Sequence, residues 1–276
     1  MSDILLYAVT SLLYALLGWH FWHTRWSSGA QAEGAASGVA AWERLAILAP
    51  FALHSYLLYA SLVAQPELHF GFSQALSVTL WLTVLIYWLE SMIYDVKGMQ
   101  ALVLPLAAAC ALLPAFFPGP ETPTYTHTFA FRIHLLVAML AYSLFTIAAL
   151  HATLMTLLER RLHAGTLAGP LASLPPLMTL ETLLFRIIAL GFILLSLTLG
   201  SGFVFSEELF GQAARFNHKT GFGVISWIIF AALLVGRFGW GWRGRTALRW
   251  TLAGFAALLL AYVGSMFVLQ VILGKV

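Results

Sequence analysis

Long apolar runs separated by short polar loops set the pattern of this chain. Eight stretches, roughly 3–23, 44–64, 73–95, 98–117, 130–158, 179–204, 218–238 and 249–273, are apolar over the length a membrane-crossing helix needs, which is about 20 residues. The pattern predicts an all-α fold: a polytopic bundle of eight transmembrane helices in a single integral membrane domain covering 1–276. Only Val96-Lys97, with Gly98 as a turn residue, divides the third run from the fourth, so these two are expected to form a tight hairpin. The fifth run exceeds one span and is expected to project beyond the bilayer. Residues 27–41 and 164–177, rich in small residues, Gly and Pro, read as linkers. Residues 206–216 read as a short interfacial helix capped by Ser206.

Basic residues orient the bundle. Loops after odd-numbered spans carry Arg25, Arg44, Lys97, Arg160, Arg161, Arg237, Arg243, Arg245 and Arg249, whereas the other side carries Arg132, Arg215, Lys219 and Lys275. Positive loops stay in the cytoplasm, so both termini are expected on the non-cytoplasmic side. The N-terminus lacks the basic region of a cleaved signal peptide, and its apolar run is too long for one. It is expected to be a retained first span.

Composition agrees and removes several classes of function. The chain has 276 residues, 61% hydrophobic and 9% charged. Soluble domains are about 25% charged. The net charge of +3 lies in loops and reports topology, so no nucleic-acid partner is expected. The single cysteine, Cys110, reads as a small core residue, and no CxxCH is present to attach haem covalently. No G-x-S-x-G, HExxH or P-loop phrase is present, so a carrier or regulator is expected in preference to an enzyme.

The chemistry that needs explaining is ionisable and near or within the membrane, where such groups are costly. His134 opens the fifth run and His218 the seventh, each about one turn from the non-cytoplasmic boundary. Arg132 stands near the first; Arg215 and Lys219 stand near the second. Two imidazoles at one depth can ligate a haem iron from both faces, with the cations on the propionates. The other reading is two separate interfacial histidines. His54 and His151 form a second candidate pair, about 5 Å apart in depth by residue count. Either they bind a second haem, or each hydrogen-bonds to Ser, Thr or Tyr on a neighbouring helix. Glu90 and Asp95 close the third run, and an ion pair from Arg186 to Glu90 is expected. Trp19, Trp22, Trp26, Trp42, Trp240, Trp242 and Trp250 read as belt aromatics.

Several phrases recur in order: Arg132-Ile-His-Leu-Leu, Gly191-Phe-Ile-Leu-Leu-Ser-Leu-Thr-Leu-Gly-Ser-Gly, His218-Lys-Thr, Trp227-Ile-Ile-Phe, Gly241-Trp-Arg-Gly-Arg and Gly254-Phe-Ala-Ala-Leu. Across about 130–272 the chain resembles the cytochrome c assembly family, which includes the haem-handling CcsA and CcmC proteins. The likeness is nearest to the smaller branch with YpjD and HemX. His134 matches the first of the family's haem-binding histidines. His218 falls where the family has a Trp-Asp-Pro-Lys-Glu phrase, with Lys219 in the place of its lysine. Loop 205–217 has no tryptophan and lacks the Trp-x-Trp-Asp phrase, and Leu234-Val-Gly-Arg stands where a further family histidine would lie.

The resemblance therefore implies a bacterial inner-membrane haem-binding protein with non-covalent haem b, and it does not imply presentation of haem to an apocytochrome. Lipid, haem and other cytochrome c assembly or haem-synthesis proteins are the expected partners. Two other readings stand beside it: a HemX-like regulator or scaffold for haem-synthesis proteins acting through its cytoplasmic loops, and a transporter or ion-efflux component built on Glu90, Arg186 and His54.

Overall fold

The computed structural model describes residues 2–27, 41–64, 69–94, 96, 98–120, 128–165, 175–204, 206 and 218–274. Arg215, Asp95, Lys97, Lys275, most of both linkers (28–40 and 166–174) and most of the 206–216 segment lie outside them. The described residues fold into helices α1 (Ser2–Trp22), α2 (Ala41–Leu62), α3 (Phe72–Ile93), α4 (Gln100–Phe116), α5 (Phe129–His163), α6 (Leu177–Val204), α7 (His218–Trp240) and α8 (Gly244–Leu259). α1 runs on through a π-helical turn, His23–Ser27. α8 continues to Ile272 through two more, Leu260–Gly264 and Val268–Ile272. Seven of these helices are long and apolar enough to cross a membrane, so the chain is a multi-pass membrane protein. The exception is the segment expected at 98–117, which forms a shorter apolar helix of 17 residues.

The order of packing follows from side-chain size. α5 is buried on every face from Ala141 to Ala152, as an all-round apolar helix must be. Ala141, Ser143, Ala148, Ala149 and Ala152 keep that stretch thin, which lets neighbours approach closely. α3, α6 and α8 pack on α5, while α1 and α4 pack together beside α3. The α3–α4 connection is the expected tight turn, with Gly98 at φ 94°. Within the bundle, hydroxyls that face no water bond back to the carbonyl four residues earlier. Thr83 to Thr79 (2.7 Å), Thr146 to Tyr142 (2.8 Å) and Thr251 to Ala247 (2.8 Å) are examples.

α5, α6, α7 and α8 make a four-helix unit. α6 and α8 each touch both α5 and α7, which leaves α5 and α7 across the diagonal. Side-chain hydrogen bonds cross every interface of this square. His134 meets Ser201, Trp227 Nε1 donates to Ser196 Oγ, Ser226 Oγ donates to Gly254 O, and Tyr142 Oη donates to Leu258 O. In the middle, Phe145 and Phe230 stack across the diagonal with centroids 3.9 Å apart. Gly191 and Gly254 make room for the rings: an added Cβ would come within 3.2 Å of Phe145 and 2.8 Å of Phe230. Gly254→Val is therefore expected to cost about 1–3 kcal/mol by overpacking, seen as a lower melting temperature in detergent.

The remaining aromatics pack as well as line the boundary. Trp81 stacks on Phe51 and Trp227 on Phe192. Trp26, expected in the belt, is buried and donates to Gly98 O. Trp19, Trp42 and Trp240 are exposed, as a belt requires.

Candidate haem site

The Phe145–Phe230 stack gives a level from which to count outward. His134 lies eleven residues from Phe145 on α5, and Ser201 ten residues from Gly191 on α6. His218 and Lys219 lie twelve and eleven residues from Phe230 on α7, and Met266 twelve from Gly254 on the extension of α8. At an α-helical rise these distances are about 15–18 Å. Residues from all four helices thus converge on one layer at one end of the unit. Local structure fixes each element there. Thr128 Oγ1 caps α5 by accepting from Phe131 N–H (3.3 Å). At the opposite end of the unit, a reverse turn with Gly241 and Gly244 at positive φ sets α7 against α8. Farther along α8, Gln270 Oε1 accepts from Phe72 N–H and ties that end to α3.

His134 is half-buried, and its Nδ1 lies 2.8 Å from Ser201 Oγ. The Ser201 hydroxyl spends its proton on Thr198 O (3.1 Å), so Ser201 accepts and His134 Nδ1–H donates. That tautomer leaves the lone pair on Nε2, as a metal ligand needs. Gly202 stands at the imidazole edge, where an added Cβ would be 3.7 Å from Cε1. His218, the first residue of α7, is exposed.

Lys219 is half-buried with unusual company. Its ammonium lies 3.0 Å from the Met266 thioether and 5.7 Å from the Tyr262 ring centre. Arg132 is exposed on the first turn of α5. Neither cation meets a carboxylate among the described residues. Ser201, Tyr262 and Met266 were not singled out as site residues by the sequence. Ser201 stood only within the phrase that runs from Gly191 to Gly202, and the other two had no signal beyond apolar helix.

This residue set suits haem. Among the described residues no three His, Cys, Asp or Glu side chains gather into a protein-only metal cage. Two imidazoles with unpaired cations match a macrocycle that brings its own four equatorial nitrogens and two carboxylates.

His54 and His151 are not brought together. His54 is buried, with Nε2 2.9 Å from Ser77 Oγ on α3 and its ring edge-on to Tyr14. His151 Nε2 approaches Glu90 Oε1 at 2.7 Å, also on α3 but thirteen residues away from Ser77. The two histidines therefore stand about 20 Å apart along the bundle, too far for one iron. The Arg186–Glu90 pair is also corrected. Arg186 is exposed and reaches Tyr94 Oη at 3.4 Å, while Glu90 turns inward to His151. At the same end, Glu181 accepts from Arg237 and lies 3.8 Å from Arg243, tying α6 to the α7–α8 turn.

A polytopic helix bundle with two histidines and two cations that meet no carboxylate among the described residues, all in one end layer, is the class these observations define. The family model described as cytochrome C assembly protein matches residues 42–273; the chain belongs to that family. The Escherichia coli K12 "Inner membrane protein YpjD" is 33% identical over 62% of this chain and 65% of its own length. The chain thus spans a little under two thirds of that relative. An Azospirillum brasilense 28.8 kDa protein is 29% identical over 75% of this chain and 78% of its own. "Cytochrome c biogenesis protein CcsA" of Prochlorococcus marinus MIT 9215 is 39% identical over 32% of this chain and 28% of its own. No solved structure matches.

Proposed function

We propose that the protein is an inner-membrane haem-handling protein of the cytochrome c assembly type, binding haem b non-covalently between His134 and His218. The observation that carries this is the shared layer of two imidazoles and two cations that meet no carboxylate among the described residues of the four-helix unit. Arg132, Lys219 and Arg215 hold the propionates, and His134 and His218 supply the axial nitrogens. Bound haem supplies the redox and ligand-binding chemistry. The chain orients its own imidazoles, keeps His134 in the ligand tautomer through Ser201, and closes the layer beneath with the phenyl stack. It acts as a carrier and not as a catalyst.

The layer lies on the non-cytoplasmic side. α4, with 17 residues, is at the lower end of the length that spans a bilayer, about 17–25 residues, and completes eight spans with both termini outside. Other cytochrome c assembly or haem-synthesis proteins are the partners this placement serves. Titration of the purified protein with haem tests the reading: a Soret band saturating at one haem per chain supports it, and no band sinks it. Ser201→Ala, which frees the His134 tautomer, is expected to weaken haem binding about 10–100-fold, read from the same titration, without changing the fold.

A further inference from the structure

α6 exposes one continuous stripe. Thr179, Thr182 and Arg186 are followed at helical spacing by Leu190, Ile193 and Leu197, which are 52%, 55% and 56% exposed. The stripe is polar over its first turns and apolar thereafter, with Arg186 its last charge. By residue count Arg186 is nine residues inside α6. Its contact with Tyr94, however, places it level with the end of α3. α3 has 22 residues, enough for one full crossing, so its end marks the headgroup zone. Arg186 therefore sits where headgroups give way to acyl chains, in a cavity of about 290 Å³ between α3 and α6.

Donors in this cavity are in surplus. Arg186 spends one N–H on Tyr94, and the Tyr94 and Thr179 hydroxyls donate to no acceptor among the described residues. The lining residues are Tyr94, Met178, Thr179, Thr182, Leu183 and Arg186, with no carboxylate among them. A guanidinium with hydroxyl donors beside it matches phosphate oxygens. Among the described lining residues Arg186 carries the one charge, which favours a headgroup of net negative charge. Leu190 and Ile193 on α6, and Leu89, Met92 and Ile93 on α3 (49%, 50% and 77% exposed), are apolar side chains open to lipid on the two helices that Arg186 and Tyr94 join.

We infer that this cavity holds the phosphate of an anionic phospholipid, with Arg186 as its charge partner, Tyr94 and Thr179 as donors, and the acyl chains along the α3 and α6 stripes. Basic pockets between membrane helices bind such headgroups. The site is separate from the histidine layer, at the opposite end of the bundle, and does not depend on haem.

Native mass spectrometry of the full chain, exchanged into an equal mixture of dioleoyl-phosphatidylglycerol and dioleoyl-phosphatidylethanolamine, tests it. The wild-type protein should retain phosphatidylglycerol in preference. Arg186→Gln should lower that retention roughly fivefold or more, Arg186→Lys should restore part of it, and Arg249→Gln, an exposed cation elsewhere at that end, should leave it unchanged. Excess inorganic phosphate should not displace the lipid. Equal retention of both lipids, or an Arg186→Gln protein that elutes as a folded monodisperse species and keeps its phosphatidylglycerol, overturns the assignment. An equal loss in Arg249→Gln also overturns it, by showing general surface attraction, and displacement by phosphate alone shows that no acyl contact contributes.

Discussion

Replacing either His134 or His218 with alanine should remove tight haem binding while leaving the helix bundle folded. Each imidazole supplies one strong iron–nitrogen bond in the proposed site, and a remaining single ligand leaves the iron five-coordinate. The affinity loss should be at least about 100-fold, or roughly 2.7 kcal/mol. Folding should survive because neither ring is core. His218 is exposed at a helix end, and His134 is half-buried, joined to α6 through one hydroxyl. The unit's centre depends on Phe145, Phe230, Gly191 and Gly254, about 15–18 Å away along the helices. Haem titration alongside thermal unfolding in detergent separates the two effects. A variant that melts with the wild type yet binds no haem is the expected result; unchanged haem affinity in either variant contradicts the ligand assignment.

The second large effect is expected at Glu90 and His151. This pair lies deep between α3 and α5, with both side chains almost fully buried. The 2.7 Å approach is close but off the ring N–H direction, and no other hydrogen bond among the described residues satisfies either group. Removing one partner leaves the other buried and uncompensated, a change that costs about 3–5 kcal/mol. His151→Leu should thus lower the melting temperature by roughly 10 °C, using the usual enthalpy scaling for chains of this size. The double change Glu90→Leu with His151→Leu should recover most of that loss, because an apolar pair removes the desolvation cost. Additive losses in the double variant would show that the two side chains do not act as a pair.

These two pairs also show what the sequence could and could not reveal. Seven of the eight apolar runs form helices long enough to span, close to their expected bounds, because apolar length is a direct physical requirement of the bilayer. The fifth run forms a helix of 35 residues, longer than one crossing needs. The height match of His134 and His218 was legible too, since both stand near helix starts on the same side. Depth inside the membrane was not legible, because counting from helix ends assumes that the ends are level.

The ends are not level. α5 continues twelve residues beyond His151, which is itself level with Glu90 near the end of α3. α6 likewise begins nine residues before Arg186, which is level with Tyr94. The overshoot of these two helices separates His54 from His151 and moves Arg186 away from Glu90. Long-range partners such as Met266 for Lys219, 47 positions apart, carry no periodic signal and emerge only from the packing of α7 on α8.

Low-temperature electron paramagnetic resonance of the ferric haem-loaded protein tests the central claim most directly. Two imidazole ligands enforce a low-spin iron, so a wild-type low-spin signal that turns high-spin on losing either His134 or His218 is the predicted result. A high-spin signal in the wild-type protein, or a low-spin signal that persists without either histidine, would contradict a site built from these two side chains.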